Sequence, residues 1–498
     1  MNTLYYGDNL DILRNYIPDE SVDLIYLDPP FNSNRTYNVL FKDESGIQSS
    51  AQIAAFEDTW HWDLNTEAIY KELVTSPEIP SKVSLMISSL REFLETNQLM
   101  AYLTNMTIRL VELHRVLTPS GSLFLHCDPT ASHYLKIILD TIFSNKSFRN
   151  EIIWHYLRWP AKQKNFQRMH DVILFYSKEY QNNTFNTLLE PLSTGTLKRW
   201  KGKKSKVEFD GEKRLVTQMT EEDSPGRPMD DVWDIPVINS QAKERLGYPT
   251  QKPLALLNRI IEAASEPGDV VLDPFCGCGT AIASAQSLGR QWIGIDITHL
   301  AIALIKYRLE DSFPNIQFEI QGEPESVNSA RYLAESDRHQ FEWWALSLVR
   351  ARPGQPDGDR GKKGADRGID GIINFIDDAS GKPQKAVVQV KSGHVSSAQI
   401  RDLVGTMNRT NAPIGIFITL EEPTKPMLKE AAEVGFYHSK LWDKDYPKLQ
   451  IFTIEELLKG KEPQLPPSNV TFQRAQKQKG KSSTNQPSLL GGKSEGKE

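Results

Sequence analysis

Val270-Val271-Leu272-Asp273-Pro274-Phe275-Cys276-Gly277-Cys278-Gly279-Thr280 reads as a short buried strand that ends on an acid and empties into a glycine-bearing loop. Pro267-Gly268-Asp269 before it is a turn, and the run from Ala281 to Leu288, closed near Gly289, predicts a helix directly after it. Gly277 and Gly279 let the backbone approach a ligand closely. A second strand, Trp292-Ile293-Gly294-Ile295-Asp296, ends on another acid 23 residues after Asp273. At about that distance a βαβ unit commonly offers a carboxylate to ribose hydroxyls. The stretch therefore predicts a doubly wound, Rossmann-like α/β sheet with a cofactor at its carboxyl edge. The loop has neither Gly-x-Gly-x-x-Gly nor a phosphate-binding lysine, which argues against NAD and ATP.

Working outward, Asp28-Pro29-Pro30-Phe31 lies 245 residues before Asp273. It follows Ser21-Val22-Asp23-Leu24-Ile25-Tyr26-Leu27, an apolar run that ends abruptly at the acid and the two prolines. Such a run reads as a buried parallel strand feeding a rigid loop, again at the edge where open sheets place their sites. Proline has no N–H and a fixed φ, so Pro29 suits a rigidly held carbonyl acceptor beside the Asp28 carboxylate. Phe31 offers a flat face for a planar ligand.

Composition narrows the classes. A chain of 498 residues has ample length for two to four domains. Three cysteines, Cys127, Cys276 and Cys278, supply neither a disulfide framework nor the four ligands of a zinc site. The first residues lack a charged leader with an apolar h-region, and no apolar run reaches the length of a membrane span, so a cytoplasmic location is expected. The net charge of −6 requires any phosphate contact to come from local basic surface. Lys198, Arg199, Lys201, Lys203, Lys204 and Lys206, with Trp200 among them, form one such stretch, which would otherwise be a solvated loop.

With these segments in this order, residues 1 to 310 resemble the β class of S-adenosylmethionine-dependent DNA amino-methyltransferases. Tyr5-Tyr6-Gly7-Asp8-Asn9 resembles that family's acid-bearing strand end near the cofactor adenine. Leu117-x-Pro119-x-Gly121-Ser122-Leu123-Phe124-Leu125-His126 resembles its strand after the catalytic loop, and Tyr248-Pro249-Thr250-Gln251-Lys252-Pro253 the segment beside the methionine moiety. Phe275-Cys276-Gly277-Cys278-Gly279 fits its Phe-x-Gly-x-Gly loop. The resemblance implies S-adenosyl-L-methionine as cofactor, held by Asp8, Lys252, Pro253, Asp273, Phe275, Gly277, Gly279, Thr280 and Asp296. It implies double-stranded DNA as partner and Asp28, Pro29, Pro30 and Phe31 as the catalytic segment. A nucleobase amine is a poor nucleophile because its lone pair is delocalised into the ring; acceptors at Asp28 and Pro29 would localise it, and Phe31 would stack on the extruded base. The acid at 28 favours adenine N6, the alternative being cytosine N4, whose enzymes more often carry Ser there. A methyltransferase acting at cytosine carbon 5 would need a Pro-Cys nucleophile, and no Pro-Cys dipeptide occurs.

The expected domain runs from 1 to 320: a catalytic segment to 180, a target-recognition region at about 181–245 with weak periodicity and a Pro225-Gly226 break, and a cofactor segment at 246–320. A stretch at about 43–100 is inserted after the catalytic loop. There Trp60-His61-Trp62 would meet DNA or pack in a core.

Beyond a linker near 320–335 the chain changes character. A helix begins near Phe341-Glu342-Trp343-Trp344, a strand is expected at Gly368-Ile369-Asp370-Gly371-Ile372-Ile373, and a second at Ala386-Val387-Val388-Gln389-Val390-Lys391, where Gln389 and Lys391 share one face. Residues 335–455 resemble the Mrr-like branch of the PD-(D/E)xK restriction endonucleases, whose second acid is often Gln. Glu342, Asp370, Gln389 and Lys391 fit its catalytic positions, and Gly364-Ala365-Asp366-Arg367-Gly368 its glycine-rich lead-in. The resemblance implies an α/β nuclease-like domain with Mg2+ held by Asp370 and Gln389. The competing expectation is a DNA-binding domain that does not cut. Residues 462–498, rich in Gln, Lys, Ser, Gly and Pro, are expected to be disordered. A homodimer is compatible with all of this.

Overall fold

The structure is a computed structural model. It describes residues 2–30, 60–159, 164–204, 220–239, 242, 244–246, 248, 250–354, 369–377 and 383–467, and the strand backbone of 36–42, 48–57, 205–210 and 213–219. Phe31, Lys162, Gly364 to Gly368 and most of the expected disordered tail lie outside the described residues.

The larger unit is built on one nine-stranded sheet. In chain order its parts are β1 (Thr3–Tyr6), α1 (Asn9–Tyr16), β2 (Val22–Leu27), α2 (Gln98–Val116), β3 (Leu117–Cys127), β4 (Phe148–His155), β5 (His170–Ser177), β6 (Val232–Asp234), α3 (Leu254–Ala264), β7 (Val270–Asp273), α4 (Thr280–Ser287), β8 (Gln291–Asp296), α5 (His299–Ser312) and β9 (Glu319–Gln321). The spatial order is β6-β4-β5-β3-β2-β7-β8-β1-β9. Only β5 runs against its neighbours; the other pairings are parallel. Both faces of the sheet are covered, which is why β2 and β7 read as continuous apolar runs rather than as alternating ones. Leu10, Leu13, Leu103 and Leu110 of α1 and α2 pack on one face, and Leu257, Ile261, Ile282 and Ile302 of α3, α4 and α5 on the other. Because the strands from β1 to β3 are parallel, their carboxyl ends share one edge. That edge carries Asp8, Asp28, Asp273 and Asp296.

β6 comes from the region expected to recognise the target, yet it joins the main sheet beside β4, and Trp233 is buried there. The rest of that region includes an antiparallel pair, Lys203–Asp210 with Lys213–Asp223. In it Lys203 pairs with Asp223 and Lys204 with Glu222, so part of the basic stretch is already neutralised.

The smaller unit has α6 (Val327–Ser336), α7 (Arg338–Leu348), β10 (Gly371–Ile376), β11 (Pro383–Lys391), α8 (Ser397–Thr410), β12 (Ile414–Thr419), α9 (Lys425–Glu433) and β13 (Leu449–Thr453). β10 and β11 are antiparallel, and β11, β12 and β13 parallel. Trp344 and Phe341 of α7 pack on the face of Val388 and Val390, while Leu403 of α8 and Met427 of α9 pack on the face of Val387 and Phe417.

The join between the units is closer than the sequence suggests. β9 pairs with β1 up to Gln321 and α6 starts at Val327, so few residues separate them. α7 then lies against α5. Trp343 packs on Tyr248, Cys278, Leu300 and Leu304, the His299 N–H donates to Gln340 Oε1 at 2.9 Å, the Tyr307 hydroxyl donates to the Ser347 carbonyl, and Arg350 pairs with Glu310 at 2.7 Å.

Candidate active site

The four strand-end acids open onto one cavity of about 310 Å³, a size suited to a small molecule. Of the residues named from sequence, Asp8, Asp28, Pro29, Pro30, Lys252, Asp273, Phe275, Gly277, Thr280 and Asp296 line it; Pro253 and Gly279 do not. Those two act one step back. Pro253 is the N-cap residue of α3, and Gly279 that of α4, in the left-handed region at φ +71°. A Cβ at 279 would come within 2.7 Å of Ile305 of α5, so the loop can sit this close to that helix only with glycine there. At Gly277, also at positive φ (+50°), a Cβ would meet the Tyr248 ring at 3.2 Å.

The acids are held in different ways. Asp8 caps α1 by accepting from the Leu10 N–H at 2.7 Å, and both its oxygens accept from Arg109 Nη2 at 2.9 and 3.0 Å. Arg109, buried in α2, also donates through Nε to Asn9 Oδ1 at 2.6 Å, and Asn9 Nδ2 donates to the Pro274 carbonyl at 2.8 Å. This chain ties β1 to the glycine loop. Asp296 accepts from the Gly277 N–H at 2.9 Å on one oxygen, and from the Thr298 N–H and hydroxyl, both at 2.9 Å, on the other. Asp273 accepts from the Phe275 N–H at 3.1 Å. Burial pushes Asp273 well above the usual carboxylate range and Asp296 up to about 6. A cationic ligand in the cavity would reverse that penalty.

At the other end Asp28 forms an ion pair with Lys252, the two side chains being 15% and 12% exposed. Behind Asp28, buried His126 places Nδ1 3.1 Å from the Tyr26 hydroxyl and 3.9 Å from Asp28 Oδ1, and Nε2 3.5 Å from Asp171 Oδ2. Asp171 in turn accepts from the Tyr156 hydroxyl at 3.0 Å. Trp60 lines the cavity and packs beside Tyr102, while Trp62 lies tilted against Tyr70 with Arg91 over its ring, so Trp62 serves packing and Trp60 both packs and faces the cavity. The three cysteines are buried and free, and among the described residues no cluster of His, Cys, Asp and Glu could hold a metal ion.

Sequence reasoning gave no site role to Arg109 or Asp171, and named Asn9 only as the neighbour of Asp8. Arg109 left a trace as a lone cation on an otherwise apolar stretch of α2. Lys252, expected to meet the cofactor, lines the cavity and also forms an ion pair with Asp28.

In the smaller unit, Asp370 immediately precedes β10. Its N–H donates to the Val388 carbonyl at 2.9 Å and its Oδ2 accepts from the Val390 N–H at 2.7 Å, so it grips both neighbours of Gln389. Lys391 Nζ lies 3.5 Å from the same oxygen. Gln389 is 5% exposed and its Oε1 has no hydrogen-bond partner. Glu342 sits half-buried on α7, the helix on the opposite face of the sheet from Gln389 and Lys391.

Comparison with known proteins gives two family matches along the chain. Residues 22–306 match the DNA methylase family model, and residues 333–446 match a restriction endonuclease model. The DNA adenine methyltransferase YhdJ of Escherichia coli is 29% identical over 311 residues, which is 62% of this chain and 82% of that protein. The type II methyltransferase M.BglII of Bacillus subtilis is 26% identical over 338 residues, 66% of this chain and 71% of the relative. Among solved structures, the M1.HpyAVI–SAM complex aligns with 62% of this chain and 100% of its own at 18% identity, with a TM-score of 0.34.

Proposed function

The chain belongs to the DNA methylase family, and from that premise we propose that it transfers a methyl group from S-adenosyl-L-methionine to the N6 amine of adenine in double-stranded DNA, in the cytoplasm. The observation that carries this reading is that Asp28 lines the same cavity as Asp8, the glycine loop and Asp296. Asp296 and Asp8 suit the ribose and adenine of the cofactor. The buried carboxylate of Asp273 suits its cationic ammonium, and that of Asp296, on the ribose, would stand toward the sulfonium that the ribose 5′ carbon carries. Asp28 and the Pro29 carbonyl would accept from the amine and direct its lone pair at the methyl group, while the proton released leaves to solvent. Adenine is favoured over cytosine N4 by the acid at 28 and by the adenine methyltransferase among the relatives. Tritiated methyl transfer to unmethylated DNA followed by nucleoside analysis tests it. N6-methyl-2′-deoxyadenosine is the expected product; N4-methyl-2′-deoxycytidine alone would overturn the base assignment, and no transfer the activity.

For residues 333–446 the match to a restriction endonuclease model supports a fused restriction endonuclease. Its site fits Mg2+: the donor set is all oxygen, and the Gln389 amide oxygen beside Asp370 is buried without a partner, an arrangement a hard cation would satisfy. Bound there, Mg2+ would polarise the scissile phosphate. Asp370 and Gln389 would hold it, and Lys391 would orient the attacking water or neutralise developing charge.

A further inference from the structure

The segment joining β4 to β5 is not used by the site described above. Leu157-Arg158-Trp159-Pro160-Ala161-Lys162-Gln163-Lys164-Asn165-Phe166-Gln167-Arg168 contains four basic residues and no acid, in a chain whose net charge is −6. Its two described arms carry large apolar side chains in water: Leu157 is 77% exposed, Trp159 93% and Phe166 100%. Isolated exposed aliphatics are ordinary, but two fully exposed aromatics interleaved with arginine and lysine make a surface that folding alone does not explain.

Topology says where this surface faces. β5 runs antiparallel to both β3 and β4, so β4 points the same way as β3, and β3 is parallel to β2. The segment after β4 therefore leaves the sheet at the edge that carries Asp28. Its foot is fixed to that edge. Arg168 Nη1 lies 3.3 Å from Asp128 Oδ2, just past the end of β3. The Arg158 guanidinium lies 4.8 Å from the centre of the Tyr156 ring and donates to the Tyr156 hydroxyl at 3.2 Å, and Tyr156 leads through Asp171 and His126 to Asp28. Gln167 Nε2 donates to the Trp159 carbonyl at 2.8 Å, drawing the two arms together. A pinned base thus presents two aromatic side chains to solvent at the sheet edge that carries Asp28.

A base inside a duplex cannot reach Asp28, and once it is extruded the gap it leaves tends to close. Flat side chains inserted into the stack oppose that closure, and flanking cations pair with phosphates. We propose that this segment is a DNA-opening element: Trp159 and Phe166 enter the duplex beside the target base, Lys164 meets a backbone phosphate, and Arg158 and Arg168 anchor the segment to the sheet edge. The occupant is duplex DNA, because four cations without an acid match a polyphosphate chain and because the segment stands at the edge where the base must arrive. The inference rests on the reading of Asp28 as acting on a base of duplex DNA.

The test uses full-length protein with Trp159→Ala, Phe166→Ala and both together. A labelled short duplex is titrated first, by fluorescence anisotropy, with cofactor affinity as the control for folding. The double variant is expected to bind the duplex more weakly at unchanged cofactor affinity. Methyl transfer is then compared on a matched duplex and on one whose target adenine is mismatched, and so already easier to extrude. The double variant should lose about tenfold or more on the matched duplex, with most of the rate restored on the mismatched one. Equal losses on both substrates, or no loss on either, overturn the proposal, as does unchanged duplex affinity. If the surface serves a protein partner or a second copy of the chain instead, duplex affinity will not move while self-association or size does. A wild-type protein that binds duplex but transfers no methyl group would sink the functional reading alone, and the anisotropy result would still decide whether this segment holds DNA.

Discussion

Lys252 and Asp28, 224 residues apart in the chain, form an ion pair in the wall of the cavity. The lysine comes from the Thr250-Gln251-Lys252-Pro253 segment that leads into α3, and the acid from the end of β2. Before any base is bound, the ammonium therefore fixes the carboxylate that must later accept from an amine. Asp28→Ala should lower the rate of methyl transfer about a hundredfold or more while leaving cofactor affinity near that of the wild type. Lys252→Ala should also act on the rate, by releasing Asp28, and Lys252→Arg should recover part of it. Rate and cofactor affinity measured separately for the three variants decide the matter. Loss of cofactor affinity without loss of saturated rate in Lys252→Ala would return the lysine to the cofactor.

Asp296 supplies a pH signature. Burial raises its pKa from 3.8 to about 6, so the empty protein holds the carboxyl protonated between those values and charged above them. A cationic cofactor favours the charged form, so its affinity should rise as pH increases from about 5 to 7, and the rise should be absent in Asp296→Asn. The stability of the empty fold should move the other way. The raised pKa makes ionisation costly in the folded state, so stability increases as pH falls from about 6 toward 3.8. Calorimetric titration with cofactor and thermal melts across this window check the two signs independently. An affinity that does not change with pH in the wild type would show that Asp296 does not meet the charged part of the ligand.

The strand ends and the glycine loop were legible in the sequence because the signals are local. An apolar run stopped by Asp28-Pro29-Pro30, or by Asp273 and two glycines, admits few backbone solutions. Asp8, Asp28, Asp273 and Asp296 converge once the strands are parallel, and periodicity and order suffice for that. The pairs that set the electrostatics were not legible. Lys252 with Asp28 and Arg109 with Asp8 are contacts between distant segments, and nothing near either cation names its partner. The insertion of β6 beside β4 was hidden for a similar reason: Val232-Trp233-Asp234 is too short to show a period, and its place depends on a sheet edge made elsewhere. The contact of α7 with α5 was masked by the change in composition near residue 320, which reads as a boundary although Trp343 packs across it.

That contact bears on the independence of the two units. Trp343 packs against Tyr248, Cys278, Leu300 and Leu304, and Tyr248 lies against Gly277 of the cofactor loop. Trp343→Ala should therefore raise KM for the cofactor about fivefold or more, with kcat at saturating cofactor much less affected. Steady-state kinetics on the full-length variant, with a melting curve to confirm folding, provide the check. An unchanged KM would mean that the two units touch without sharing the site.

The last prediction concerns cleavage. Asp370 grips the backbone on both sides of Gln389, Lys391 lies 3.5 Å from its Oδ2, and the Gln389 amide oxygen is buried without a partner. Asp370→Ala removes a carboxylate that organises β11 and one of the two oxygens offered to Mg2+, so it should abolish metal-dependent cutting and also lower the stability of the smaller unit. Lys391→Ala is the cleaner probe, because that side chain is at the strand end and partly exposed: cutting should be lost while folding and methyl transfer persist. Gln389→Glu should keep cutting, since it replaces one oxygen donor with another, and should bind Mg2+ more tightly by adding charge. The assay is cleavage of unmethylated, self-methylated and foreign-methylated DNA with Mg2+ and with a chelator. If Lys391→Ala cuts as well as the wild type, the site is misplaced. If the wild type cuts none of the three substrates while it still transfers methyl groups, the smaller unit is a DNA-binding element whose buried Gln389 serves another purpose.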